Sequence, residues 1–499
     1  MEKDTKGKKF KISFAIKAGL VIVFIAVFFA VGAMAYNGFV KPDRREALRL
    51  LAQIPERISW SAQNDYIGTG EMLEKYLDEG GQVDVSVSDI TPGDILGKSL
   101  TGGEGPTEIF PAMPGMLSIW ESLSEYTVGW NKKFDMDSGR TSQAVMLSKG
   151  GEKMSVIRCQ DSTDLWVALP ELLDGKVLHA KTGELGGILG EGSGAEEQKE
   201  RDFLNFFREI KVFLAEESVK AADQISFDKL KKSEEWSYVW DSGYTLQIPQ
   251  EYVNSFFQRL SDLLCEQNQE VLQLLGEKVR GFSVARDITL TIYGEDGKLC
   301  QLETDIPIKG NAFKVTIAFT GEKDDSSISL LAQGEWEGEL VSLMAKRLDK
   351  KKNVYETNTE IEIAVADETV SKLTCSEKIS PNDASYQLDI GLDAEGQKSY
   401  QVHAKGAVKD VKKGVSASYV LDDLWISSGD EELMSMETRI QFLAGDQEIS
   451  PPQGEIVEIS PDTEEEDMEV YKREITENFS KKMARMGILN QFMNKDGLL

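Results

Sequence analysis

The sequence predicts an α+β chain. It has a single N-terminal transmembrane helix, two helix-plus-antiparallel-sheet units of curved-meander or half-barrel form, and a C-terminal amphipathic helix. Three observations carry this expectation. Ala18–Val40 holds 23 uncharged residues in a chain that is otherwise acidic and polar. Residues 281–450 alternate apolar and polar side chains with a period of two, the signature of half-buried strands. Apolar stripes at helical spacing precede each β-rich stretch and close the chain.

The N-terminal element follows from length and charge. A hydrocarbon core of about 30 Å takes about 20 apolar residues at helical rise, and a helix is the single-segment solution that bonds every backbone group internally. Residues 1–17 form a basic tail with Lys3, Lys6, Lys8, Lys9, Lys11 and Lys17. The positive side of an anchor stays inside, so residues 18–40 are read as a single-pass plasma-membrane helix with the N-terminus cytoplasmic and the bulk extracellular. Ala33-Met34-Ala35 also has the small-x-small form of a signal-peptide cleavage site, so removal after Ala35 is the competing reading. The apolar run exceeds the usual signal core of about 7–15 residues, which favours an uncleaved anchor.

Composition then limits partners and chemistry. The formal net charge is −29, and beyond the first 17 residues 50 basic face 83 acidic residues, a charge of −33. Such a surface repels phosphate backbones, so no nucleic-acid partner is expected. Cys159, Cys265, Cys300 and Cys375 show no CxxC and no metal-ligand spacing. Outside the cytoplasm a disulfide is permitted, with Cys300 and Cys375 both in strand-like runs, and buried free thiols are the plainer reading. His179 and His403 are the only histidines, which argues against zinc and against histidine acid–base catalysis.

In chain order, residues 41–194 read as a helix plus a β-meander. Pro42 suits a first helical position, and Leu48, Leu51, Ile54 and Ile58 share a helical face. A second helical piece, Glu71–Leu77, stops at Gly80-Gly81, and Val83, Val85 and Val87 alternate with polar residues. Short strands are expected near 126–134, 141–148, 153–159 and 163–169, with turns at Asp137-Ser138-Gly139 and Gly150-Gly151. Residues 195–280 read as helical, with stripes at Phe203, Phe206, Ile210 and Phe213 and at Val253, Phe256, Phe257 and Leu264, broken at Trp236–Pro249. Over 281–450 about ten to eleven alternating runs predict a long antiparallel meander with one wet and one dry side. The dry side needs covering by helices, another sheet or a ligand. Residues 451–467 form an acidic spacer, and 468–499 a helix with Met468, Tyr471, Ile475, Phe479, Met483 and Met486 on one face. That face packs on its own domain or takes a protein partner. Helices followed by a strand occur twice, at Glu46–Ile90 and at Tyr252–Tyr293, which is the basis for two units.

Several motifs are better explained without a ligand. Gly93-Asp94-Ile95-Leu96-Gly97-Lys98-Ser99 has one residue too few for a phosphate-binding loop and lacks a following helix start. Asp135-x-Asp137-Ser138-Gly139 lacks the third ligand and the closing Glu of a calcium loop, so a hairpin turn is expected. Trp236, Tyr238, Trp240 and Tyr244 suit sugar stacking or, more simply, a core. Among 85 acids no glycosidase dyad stands out. The basic run Lys346, Arg347, Lys350, Lys351 and Lys352 reads as a solvated hairpin tip. No catalytic, cofactor-binding or metal-ligating residue is assigned, and no cofactor is expected.

The helix-then-meander pattern over residues 42–450 resembles half-β-barrel extracytoplasmic lipoprotein carriers of the LolA and LppX kind, in which a curved sheet closes over helices and shelters an apolar ligand. The layout also resembles uncharacterised membrane-anchored surface proteins of Gram-positive anaerobes. The absence of a Cys right after the apolar run departs from carrier lipoproteins. Three functions follow as expectations. The first is a non-enzymatic, membrane-anchored extracytoplasmic binding or scaffold protein. The second is a carrier of lipid or another apolar ligand in a half-barrel. The third is a wall hydrolase that uses carboxylates alone.

Overall fold

Strands dominate the computed structural model, and alternation explains why. Where every second residue is Val, Ile, Leu, Phe or Tyr, the chain buries one face by pairing rather than by coiling. The structure describes residues 42–51, 53–54, 62–93, 123–181, 225–231, 239–267, 270–308, 311–322, 325–336, 338–395, 399–460 and 465–487, with isolated positions in 206–224 and at 463. The expected membrane helix at 18–40 lies outside the described residues. Among the described residues no helix is long and apolar enough to cross a membrane.

The chain divides into two compact units, each discontinuous in sequence. The middle-chain unit takes residues up to 62, 198–376 and 392–397, and the flanking unit takes 63–197, 377–391 and 398 onward. The meander expected over 281–450 is therefore shared between them, and the helix at Pro42 belongs to the middle-chain unit.

The described elements run as α1 (Pro42–Leu51), α2 (Ala62–Ile67), α3 (Thr69–Glu79), β1 (Gly80–Pro92), β2 (Thr127–Asp135), β3 (Arg140–Lys149), β4 (Glu152–Gln160), β5 (Asp164–Ala168) and β6 (Lys176–Lys181). Then come β7 (Ser226–Lys229), β8 (Ser242–Ile248), α4 (Gln250–Cys265), α5 (Glu270–Arg280), β9 (Ile288–Glu295), β10 (Lys298–Ile308), β11 (Asn311–Glu322), β12 (Asp325–Trp336), β13 (Glu339–Lys351), β14 (Tyr355–Val365) and β15 (Glu368–Ile379). The chain continues with β16 (Ser385–Ala394), β17 (Tyr400–Lys412), β18 (Ser416–Ser428), β19 (Glu431–Ala444), β20 (Glu455–Glu458) and α6 (Glu465–Arg485).

In the middle-chain unit, β7 to β14 form an unbroken antiparallel meander. Its dry face carries Tyr244, Leu246, Ile248, Ile288, Leu290, Ile292, Leu302, Ile306, Phe313 and Val315, all buried. Helices cover it: Ala47, Leu50 and Leu51 from α1, Val253, Phe256, Phe257 and Leu264 from α4, and Leu272 and Val279 from α5 join the same core. α4 and α5 approach closely at Gly276, where an added Cβ would lie 2.6 Å from Cys265 Sγ, and Ser261 Oγ donates to the Gly276 carbonyl at 2.9 Å. Glu217 is buried beside α4. Arg259 bonds it through Nε at 3.0 Å and again through its terminal nitrogen, and Lys220 Nζ lies 2.8 Å away. Burial alone would raise the Glu217 carboxyl, but the bonds from Arg259 and Lys220 outweigh it and hold it below the ordinary carboxylate value.

In the flanking unit, β17, β18, β19, β1, β2, β3, β4, β5 and β6 follow one another in antiparallel register, and β20 adds to β6 in parallel. β6 and β20 fall where the sequence predicts no strand, and β8 falls where a helical break is expected. β6 and β20 are too short for periodicity to show, whereas β8 alternates at Tyr244, Leu246 and Ile248 and is masked by the helical stripes on either side. α6 covers one end of the sheet: Tyr471 and Ile475 pack on Leu165, Val167, Leu178 and Ile459, and Met483 and Met486 pack with Tyr126 and Leu147. Lys176–Glu474 at 2.7 Å and Asn478 Nδ2 to the Leu172 carbonyl at 2.8 Å hold the helix in place. Most of the apolar face expected for this helix is thus occupied within its own unit, with Phe479 left 40% exposed.

Candidate functional site

Two hollows open on the polar sides of the sheets. In the middle-chain unit, parity decides which side chains line the first. The buried positions of β9 are Ile288, Leu290 and Ile292, so Thr289, Thr291 and Tyr293 face the other way. Register puts Gln247 opposite Thr289, Glu303 opposite Thr291 and Lys314 opposite Asp305. Together with Arg286 and Asp287 these line a cavity of about 740 Å³. Asp287 also accepts the Gln250 backbone N–H at 2.8 Å, which fixes the loop after α5 to the start of α4. Thr289 Oγ1 donates to Gln247 Oε1 at 2.8 Å, and Gln301 Nε2 donates to Glu303 Oε1 at 2.6 Å.

Beyond Thr291 the same face of β9 carries Tyr293, stacked on Trp240 with ring centroids 4.2 Å apart and planes at 22°. Burial, and then the Glu303 charge, push the Tyr293 phenol above its ordinary value. Of the aromatic cluster singled out in the sequence, Trp240 joins this stack, whereas Tyr244 is a core residue bonded to Glu46. Trp236 and Tyr238 lie outside the described residues.

The flanking unit's hollow, about 480 Å³, sits on the side of β18, β19, β1, β2, β3 and β4 that carries Ser418, Gln441, Asp84, Asn131, Ala144 and Ile157. Met146 and Val420 lie in the neighbouring row, and Gly129 leaves the floor low between Ser86 and Met146. Asn131 Nδ2 donates to Asp84 Oδ1. On the opposite face, the row Ile440, Val85, Trp130, Val145 and Val156 is apolar throughout, with Val145 45% and Val156 43% exposed.

Both histidines lie in this unit in one arrangement. His179 stacks on Trp166 across β5 and β6 at 5.1 Å, and His403 stacks on Trp425 across β17 and β18 at 5.2 Å. His179 Nε2 lies 2.9 Å from Asp164 and Nδ1 2.7 Å from Glu458, and His403 Nδ1 lies 2.6 Å from Asp389. Bonds from Lys181, then Thr163 and His179, hold the Asp164 carboxyl far below the usual carboxylate range. The Trp166–His179 stack and the Glu458 bond tie β5, β6 and β20 together.

Other sequence motifs take structural roles. Asp135 Oδ1 accepts the Asp137 N–H at 2.9 Å and Gly139 sits at φ +62°, which makes a hairpin turn between β2 and β3. Arg347, from the basic run, pairs at 2.7 Å with the fully buried Asp349, whose carboxyl burial pushes up. Gly93 is described, and residues 94–99 of the loop-like motif are not. None of the four cysteines is joined in a disulfide, and Cys159 is buried. Among the described residues no group of three or more His, Cys, Asp or Glu is placed to hold a metal.

Three carboxylates line the middle-chain hollow, Asp287 on the loop before β9 and Glu303 and Asp305 on β10; the last two are the pair on one strand. They stand two residues apart on one strand, about 6.6 Å between Cα atoms at strand rise. A glycosidase pair flanks the scissile bond from both sides, and these two share one floor. Thr289, Thr291 and Lys314 in the first hollow and Asp84, Ser418 and Gln441 in the second are polar partners in alternating runs, a signal the sequence contains. Which of them converge depends on register.

Neither a protein-family model nor a curated protein matches this sequence. Among solved structures, that of intact Ap-TbpB, with its N and C lobes, aligns at 8% identity over 73% of this chain and 77% of that chain, with a TM-score of 0.11.

Proposed function

We propose that this chain is a membrane-anchored extracytoplasmic binding protein, held by residues 18–40 with its N-terminus in the cytoplasm. The observation that carries the reading is the hollow of about 740 Å³ on the polar side of β8 to β11, backed by a helix-covered core. A concavity with a few convergent polar groups, seated on a packed core, is what a binding site needs. The uncharged run and the basic tail before it support the anchor. Protease treatment of intact cells that make the full chain tests the topology: a C-terminal tag is lost while an N-terminal tag survives. Survival of both tags overturns it.

A second reading, a carrier of lipid or another apolar ligand in a curved half-barrel, draws on the flanking unit. Met146, Ala144, Ile157 and Val420 make that hollow partly apolar, and Val145 and Val156 stand open on the other face. Organic extraction of the purified chain, followed by mass spectrometry, tests it. A stoichiometric lipid favours the carrier, and its absence returns the reading to a binding or scaffold protein.

A further inference from the structure

We propose that the middle-chain hollow and the Trp240–Tyr293 stack together form a binding site for a neutral, polyhydroxylated ligand, a glycan. The proposal rests on the binding-protein reading above and names the ligand class for the same site.

Three features of the hollow point to this chemistry. The first is hydrogen-bonding density. Planar groups that bond two adjacent hydroxyls at once, the Gln247 amide and the Glu303 and Asp305 carboxylates, alternate with the hydroxyls of Thr289 and Thr291 over the floor. Among the described residues of the lining Ala285 alone is apolar, which argues against a lipid tail.

The second is charge balance. Asp287, Glu303 and Asp305 are opposed by Arg286 and Lys314, and Asp305 stands directly across the ladder from Lys314. The field over the floor is close to neutral and slightly negative, so a phosphorylated or otherwise polyanionic ligand meets repulsion. A neutral ligand that donates and accepts hydrogen bonds meets complementary partners everywhere.

The third is the aromatic step. Tyr293 occupies the next position after Thr291 on the same face of β9, and its cross-strand partner Gln301 bonds Glu303. Tyr293 and Trp240 are stacked at 4.2 Å and both are half-buried, so the pair forms a stiff apolar ledge at the end of the polar floor. A sugar ring has one face rich in C–H groups and an equator rich in hydroxyls. An aromatic ledge beside a polar floor receives both at once, the ring face on the aromatic and the hydroxyls on the amide and carboxylates. A polar peptide uses the floor but has no ring face for the ledge.

The test uses the full chain in detergent and saturation-transfer NMR against a panel of neutral oligosaccharides: cellohexaose, xylohexaose, maltohexaose and a hexamer of N-acetylglucosamine. A polar hexapeptide of Gly, Asn, Gln and Ser and a polyphosphate serve as contrasting probes. The expected result is saturation transfer to ring C–H protons of at least one neutral oligosaccharide and none to polyphosphate. Trp240→Ala then weakens binding about tenfold, and Thr291→Arg, which fills the floor, abolishes it. Circular dichroism and melting of both variants match the parent, and Gln247→Ala serves as a second floor variant if Thr291→Arg melts early. Failure of every neutral oligosaccharide to bind overturns the glycan assignment, as does binding indifferent to the floor and ledge variants. If the hexapeptide binds and Thr291→Arg removes it while Trp240→Ala does not, the glycan assignment falls and the binding-protein reading survives.

Discussion

The two units apply one rule of alternation with opposite results. In the middle-chain unit the dry face of the sheet is closed: Leu290, Ile292 and Leu246 are at most 1% exposed beneath helices from three places in the chain. In the flanking unit the corresponding face is covered at its end by α6, whereas the row through Val85, Trp130, Val145 and Val156 stays half open. An apolar stripe on a strand therefore states only that one face will leave water. Whether it does so depends on helices supplied from elsewhere.

The largest effect that would break this contrast lies in the closed core. Phe257→Ala should destabilise the middle-chain unit by about 3–5 kcal/mol, because Phe257 is 2% exposed and packs against Phe256 and Phe282. Hydrogen exchange of the α4 and β9 amides measures the loss in that unit directly.

Next comes the buried ion cluster. Glu217→Gln takes the charged partner from Arg259 and Lys220, both of which reach water, and should cost about 1–2 kcal/mol. The Glu217 carboxyl titrates below its ordinary value in the folded chain. Its contribution is therefore complete above the unfolded value, about pH 4.3, and is lost as pH falls through the folded one. Melting against pH should show the parent losing stability in acid more steeply than Glu217→Gln, and equal slopes would refute the assignment.

A smaller effect is expected where α6 joins the flanking sheet. Tyr126 donates its hydroxyl to the Met486 carbonyl at 3.1 Å, beside Leu147 and Met483. Tyr126→Phe should cost about 1 kcal/mol and speed exchange at the end of α6. The smallest effect sharpens the comparison most. Val156→Thr and Val145→Thr should each change stability by no more than about 0.5 kcal/mol, since both side chains are nearly half exposed. A loss of a few kcal/mol in denaturant titration would mean that the open row is covered after all.

Much of this architecture was legible in particular residues. The alternation of Phe313, Val315, Ile317 and Phe319 marked β11 and its buried face, and the stripe Val253, Phe256, Phe257 and Leu264 marked α4 and what it would bury. Leu51 and Ile54 were legible as one apolar helical face, but not as part of the core beneath β9 and β10. Strand β20 was not legible, because Ile456 and Val457 within an acidic spacer carry no periodicity and gain their place only by pairing with Val177 and Leu178. The candidate site was half legible. Thr291 and Lys314 stood between the apolar members of alternating runs and Trp240 in a group of aromatics, whereas nothing in the sequence singled out Glu303.

By itself, the sequence determined most of the local matters: which long stretches coil, which extend, which face of each is apolar, and that one uncharged run separates a short basic tail from a strongly acidic remainder. Those follow from side-chain periodicity and backbone preference, which act over a few residues. Tertiary structure alone decided that α1 serves the middle-chain unit, that Gln247, Thr291 and Glu303 meet across three strands, and that Trp240 lies on Tyr293. Those depend on register and on the packing of segments far apart in sequence. A one-residue shift in pairing would send every one of these side chains to the other face.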